Sequence, residues 1–341
     1  MIGVRVGVLS FRAHPRAIAV VGGLLLLAAG LALLGLLTGD FPLNLTQLAN
    51  TLGGAGTGGQ KYIVYDLRLP RVTVALLVGA ALGVSGAIFQ SLARNPLGSP
   101  DIIGFSGGSA TGAILVLVVF GGGITQIAVG SVLGGIAAAV VVYGLAYRTG
   151  VQGYRLILIG IGVTAVLGSL NTYILTRAGL RQAQAAQVWL IGSLNGRGWT
   201  EALPVAIALA VLLPTAVVLG RRLGILEMGD ETATMLGIRT EWTRLSLVVV
   251  SVALTAVSTA CAGPITFVAL AAPQLARRLA GSSGVALLPA AAMGAVLLLA
   301  GDVLSQRAFG QNALPVGVAT AALGGIYLAW LLATEWRSGR R

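Results

Sequence analysis

Few side chains in this chain of 341 residues could do acid–base or ionic chemistry. One group is Glu227, Asp230 and Glu231, in a polar stretch bounded by Arg221-Arg222 and Arg239. The acids there alternate with Leu223, Ile225, Leu226, Met228, Met235, Leu236 and Ile238. Asp230 can cap a short helix, Glu231 suits its positive first turn, and Gly237 can end it with a left-handed residue. A helix of two turns cannot cross a bilayer, so its apolar side must be covered by lipid or by a partner. Acids at its middle argue against an anionic lipid surface and for a protein that docks there.

A second group is Arg68-Leu-Pro-Arg71. Pro70 fits a first helical turn, and cations three residues apart share a helix face. They could grip carboxylates of another protein or anchor the span at the interface. The third is the stretch from Gly79 to Asp101. Small residues at 79, 83 and 86 allow close helix contact, and Asn95-Pro96 and Ser99-Pro100 force the chain out of the helix.

Catalytic sets are missing. No Gly-x-x-x-x-Gly-Lys-Ser/Thr phosphate loop occurs, and the single lysine, Lys61, follows Gln60. His14 and Cys261 each stand alone, so no metal site and no Ser/His/Asp hydrolase set can be assembled. Asp302, beside Ser305, Gln306 and Arg307, is the only candidate for an ion-coupling carboxylate. It could equally make a structural Asp–Arg contact. The chain is not expected to be an enzyme by itself or to bind a cofactor.

The elements that must position these residues are membrane helices. Only 9% of residues are charged and mean hydropathy is +0.92, whereas soluble domains carry about 25% charged residues. The net charge of +12 sits in short loops between apolar runs, which marks membrane orientation rather than nucleic-acid binding. A crossing helix needs about 20 apolar residues. Runs of that kind predict a single transmembrane domain over 1–341, all-α and polytopic, with ten spans. Their expected ranges are 17–38, 70–92, 102–121, 126–147, 154–177, 201–220, 241–262, 264–279, 285–304 and 313–333. The short eighth follows a break at Gly263-Pro264. The stretch 38–71, with its Gly53–Gly59 run, reads as a flexible loop. Fifteen of the 22 cations fall on the side of the N-terminus, so both tails are expected in the cytoplasm.

The three segments, together with Trp189–Leu194, Gly263-Pro264, Phe267-Val268, Pro273, Arg277 and Leu314–Val318, resemble the FecCD-type iron-siderophore and vitamin-B12 permeases of ABC importers. The likeness covers nearly the whole chain after the first span. The blocks Gly83–Asp101, Leu226–Asp230 and Gly324–Tyr327 are most similar to a ferric-enterobactin subgroup. The resemblance implies a type II ABC importer permease fold in the bacterial plasma (inner) membrane, moving a ferric siderophore inward. Its implied partners are a second permease, here a paralogue giving a heterodimer, two cytoplasmic ATPases that hold ATP and Mg, and an extracytoplasmic binding protein.

It also implies roles. Arg68, Arg71 and Arg307 dock the binding protein. Residues 223–237 couple to the ATPase, among them Leu223, Glu227, Met228, Gly229, Asp230, Glu231, Leu236 and Gly237. Asn95 and Leu97 form a cytoplasmic gate. Gly153 and Tyr154 stand where the vitamin-B12 member has small hydroxyl residues at a second gate, and Gln274 stands where the family often has histidine. Rival readings are a vitamin-B12 or haem permease and, in another class, an ion-coupled secondary transporter.

A single cysteine at Gly58, in a Cys261→Ser background, should react with an impermeant label from the extracytoplasmic face. Reaction only from the cytoplasmic face would reverse the orientation.

Overall fold

Backbone amides in a bilayer have no water to bond, so a chain this apolar must pair them internally. The computed structural model describes residues 2–6, 9–13, 15–39, 41–101, 103–147, 153–281, 284–307 and 314–338. His14 and the loop cations Arg148, Arg340 and Arg341 lie outside the described residues. A short antiparallel hairpin, β1 (Ile2–Val6) and β2 (Leu9–Ala13), precedes the helices where an Arg-bearing tail was expected. Val4 and Val6 alternate with Gly3 and Arg5, the period of a strand.

A helix stands at each expected span. They are α1 (Pro15–Leu37), α4 (Leu69–Ala93), α5 (Phe105–Ile114), α6 (Ile124–Ala146), α7 (Gly153–Arg177), α9 (Trp199–Glu227), α11 (Thr240–Ala262), α12 (Val268–Ala280), α13 (Leu287–Arg307) and α14 (Val316–Ser338). Seven are long and apolar enough to cross a membrane, and Phe105–Val119 and Val316–Trp330 are shorter apolar helices. The short helices α2 (Leu45–Leu52), α3 (Gly58–Lys61), α8 (Leu180–Ile191) and α10 (Asp230–Met235) connect them.

The expected flexible loop at 38–71 is therefore corrected. Asn44 and Gln47 form a reciprocal capping box that starts α2, and Thr57 and Gln60 form another that starts α3. A π-helical stretch, Tyr62–Arg68, then joins α3 to α4, so one helix runs from Gly58 to Ala93.

Helix α4 is the hub, with α9, α11, α12 and α13 all packed on it. A Cβ at Gly79 would strike the Gly294 carbonyl of α13, one at Gly83 the Ala290 carbonyl, and one at Gly86 the Ala269 carbonyl of α12. Backbones approach this closely only where side chains are absent. Helices α5 and α6 use the same device, Gly108 and Gly112 facing Gly134 and Gly130. On the α11 side, buried Ser85 bonds to Ser251 at 2.6 Å and to Thr255 at 2.7 Å.

The break at Gly263-Pro264 is present. Residues 263–267 leave helical geometry, with Gly263 at φ +76°. Their surroundings are protein. The Ser193 amide donates to the Ala262 carbonyl at 2.8 Å, and the Gly317 amide to the Gly192 carbonyl at 3.1 Å. Helix α12 then has 13 residues, about 20 Å at 1.5 Å per residue, and begins beside Gly86, inside the bundle.

Both outer helices return to one end. The Arg16 guanidinium at the start of α1 donates to the Leu279 carbonyl at 2.8 Å, and Arg278 lies 5.3 Å from the Trp330 ring of α14. The end of α4 is there too, because Gln274 of α12 donates to the Pro96 carbonyl at 2.7 Å.

Gly86→Leu should therefore prevent normal packing of α12, at a cost of at least about 3 kcal/mol. Gly144, where an added methyl would meet no atom within 4 Å, should accept alanine with no loss. Detergent melting curves check both; equal melting of Gly86→Leu and the parent would reject this packing.

Candidate functional site

At the end of the bundle where α4 stops, three connectors meet. Helix α9 outruns its apolar span to Glu227, Gly229 turns the chain at φ +122°, and α10 follows. Gly237 closes that helix at φ +78°, the left-handed stop expected of it. Leu223 is wholly buried, so it anchors the connector in the bundle. Met228, Met235 and Leu236 are exposed, Met235 at 86%. The apolar side of the short helix is thus left open.

Asp230 does not cap α10; Gly229 holds the cap position and makes no side-chain bond. Its carboxylate instead pairs with Arg94 at 2.7 Å and Arg244 at 2.9 Å. Two charge-assisted bonds outcompete one cap bond. Arg94 also donates to the Leu226 carbonyl at 2.6 Å, and Arg244 pairs with Glu241 at 2.8 Å. Burial pushes the Asp230 carboxyl up, but the hydrogen bond and charge of Arg244 with those of Arg94 outweigh it and hold the group below its ordinary range.

Arg94 ends α4 in a left-handed conformation, φ +49°. The residues after it are the expected gate. Asn95 Oδ1 accepts from the Leu97 amide at 2.9 Å, and Leu97 is half-exposed. Gln274 supports this turn: its Nε2 donates to Pro96 and its Oε1 accepts from the Tyr327 hydroxyl at 3.2 Å. The neutral amide thus makes one donor and one acceptor contact at a position where the family often has histidine. Gln90 in turn accepts from Arg277 and donates to the Leu270 carbonyl at 2.9 Å.

Gly153 starts α7 against the end of α4, where an added Cβ would lie 2.9 Å from the Ala93 Cα. Tyr154 is largely exposed. Gly153 and Tyr154 line one recess with Arg94, Arg244 and residues 228–232. Asn95 and Leu97 adjoin it through Arg94 but do not line it. Asp101 closes the same connector and accepts from the Ser106 hydroxyl. Burial pushes its carboxyl up to about 6, against the lowering effect of that bond. Sequence reasoning missed Arg94 and Arg244 as partners of Asp230, because they lie 136 and 14 residues away.

The opposite end gathers the other arginines. Arg71 grips Asp302 with Nη2 at 2.8 Å and Nε at 3.0 Å, and Gln306 donates to the same carboxylate at 2.8 Å. Asp302 is 1% exposed and Arg71 20%. Of the two readings of Asp302, the structure shows the structural contact, made by Arg71 rather than the adjacent Arg307. Arg68 donates to the Leu36 carbonyl at 2.7 Å and to the Phe41 carbonyl, holding the exit of α1. Arg307 is exposed in the last turn of α13. All three arginines share this end, with the charge of Arg71 already compensated.

Comparisons with known proteins agree with this architecture. The FecCD transport family profile matches residues 24–334. The ferric enterobactin transport system permease protein FepG of Escherichia coli is 48% identical over 303 residues, 89% of this chain and 92% of FepG. The hemin transport system permease protein HmuU of Yersinia pestis is 35% identical, covering 96% of this chain and 99% of HmuU. A metal-chelate type ABC transporter solved in an inward-facing conformation superposes with a TM-score of 0.82 at 28% identity, over 93% of this chain and 99% of that one. With nearly its whole length matched by that profile, this polytopic helical chain belongs to the FecCD transport family.

Proposed function

We propose that this chain is the membrane-spanning permease subunit of an importer that moves a ferric siderophore, of the catecholate enterobactin-like class, into the cytoplasm. The observation that carries the reading is the 48% identity to FepG across 92% of its length. The haem permease HmuU, at 35%, is more distant. An ion-coupled carrier is disfavoured because Asp302, its candidate carboxylate, is already neutralised by Arg71.

In this reading the end bearing α10 faces the cytoplasm, with both chain ends. Met228, Met235 and Leu236 offer the apolar contact that one of the two ATPase copies covers, and ATP and Mg are held on those subunits. A second permease, a paralogue, completes the pore. Arg307 and Arg68 meet the binding protein outside the plasma (inner) membrane, and Arg71 keeps the end of α13 aligned beneath them. Asn95 and Leu97, next in the chain to Arg94, form the inner gate together with Gly153 and Tyr154, which line a recess with Arg94. Because Arg94 ends α4 and holds Asp230, any shift of α10 is delivered to residue 95 through one side chain.

Proteoliposomes holding the assembled permeases and ATPase should take up radiolabelled ferric enterobactin only with ATP. Leu236→Asp should abolish uptake while the spans stay folded, since an unpaired carboxylate in an apolar contact costs several kcal/mol. Uptake driven by a proton gradient without the ATPase would refute the reading.

The Asp230 pair has a defined pH window. A carboxyl lowered on folding contributes fully above its ordinary value of 3.8 and loses that contribution as pH falls below it. Between about pH 5 and 8 the tether should therefore be constant. Asp230→Asn should lower amide protection in α10 throughout that range, by about fivefold for a partly exposed pair. Unchanged protection would show that the two arginines do not hold α10.

A further inference from the structure

A second polar recess lies at the end of the coupling connector and shares only Gly237 with it. Arg222, Gly237, Ile238, Arg239, Trp242, Thr243 and Ser246 line it, and it encloses about 420 Å³. Its lining has two cations and no acid. The nearest acid on the same helix, Glu241, is turned to Arg244 at 2.8 Å. Asp230 is held by Arg94 and Arg244. Neither Arg222 nor Arg239 has a carboxylate partner among the described residues.

The floor points to a ligand as well. Thr243 is 3% exposed, yet its hydroxyl has no hydrogen-bond partner among the described residues. That hydroxyl oxygen is not sealed from solvent, and it belongs to a residue that lines the recess, so it is free to donate to a bound group. The recess also opens over the first turn of α11, whose cap residue Arg239 makes no side-chain bond to the free amides. That helix has 23 residues, so its N-terminus adds positive potential, offset in part by Glu241 in its first turn, whose Oε1 pairs with Arg244 and whose Oε2 has no partner among the described residues. Gly237, at φ +78°, puts no side chain over the opening.

The level of the recess narrows the ligand. Arg222 follows the apolar run 202–220 and Trp242 precedes the run from 245 onward. Trp242 is 68% exposed at this boundary, where aromatic rings meet lipid headgroups. We infer that Arg222, Arg239 and Thr243 form a binding site for a phosphate group, of the kind carried by an anionic phospholipid headgroup or by free phosphate. The guanidiniums take the phosphate oxygens, the Thr243 hydroxyl donates a further bond, and Trp242 packs beside the glycerol or the water at the rim. Bound there, the anion ties the end of α9 to the start of α11 on the far side from Asp230.

The test uses the full chain in nanodiscs and reads quenching of Trp242, isolated by subtracting a Trp242→Phe sample. In phosphatidylcholine discs, brominated phosphatidylglycerol should quench more than brominated phosphatidylcholine. Arg222→Gln and Arg239→Gln should each reduce that preference by about fivefold. Thr243→Val, which keeps shape and fold, should reduce it less. Inorganic phosphate titrated into the same discs separates the sources: displacement of the quencher assigns free phosphate as a ligand, and no displacement assigns the lipid alone. Equal quenching by the two lipids together with no phosphate effect would overturn the site. So would a preference that survives both glutamine variants, since it would then arise elsewhere on the surface.

Discussion

The architecture depends on close contact between main chains along α4. Without a hydrophobic drive between helices in lipid, association needs dense packing, and density here comes from missing side chains. Gly79, Gly83 and Gly86 let carbonyl oxygens of α13 and α12 lie where a Cβ would be. Once those contacts form, α12 can be short and can begin inside the bundle. The non-helical backbone at 263–267 is tolerated because protein, not lipid, surrounds it.

The same helix joins the two working ends. Arg71 stands near its start and Arg94 just beyond its end, so about 35 Å of continuous helix separates them. One arginine is locked to α13 by a buried carboxylate. The other is spread over a carbonyl of α9 and the carboxylate of α10. The rod is therefore fixed in the membrane at one end and attached to the connector at the other. Motion of α10 relative to the bundle must be absorbed at residues 94–98, where Asn95 and Gln274 restrain the turn.

Helix positions were legible in the sequence because long apolar runs between charged loops mark where the backbone must bond internally. The broken helix was legible through Gly263-Pro264, and Gly237 through its place after an amphipathic turn. The segment 38–71 was less legible: its glycines suggested flexibility, while the capping boxes Asn44-x-x-Gln47 and Thr57-x-x-Gln60 give it two helix starts. The hairpin was hidden by its short length and by arginines counted only as charge. The partners of Asp302 and Asp230 were not legible, since ion pairs across 231 and 136 residues follow from helix packing and leave no local pattern.

The Arg71–Asp302 pair has a consequence for how the chain is made. Ribosomal synthesis delivers α4 to the membrane long before α13 exists. During that interval Arg71 has no counter-charge and must keep its guanidinium in the headgroup layer, as long cationic side chains at helix ends can. Asp302, arriving late and near the end of its own helix, has no comparable reach. Its insertion is favourable only when α4 already stands beside it. The pair thus ties the placing of α13 to that of α4: a bundle in which α13 enters beside another neighbour leaves Asp302 without its guanidinium partner.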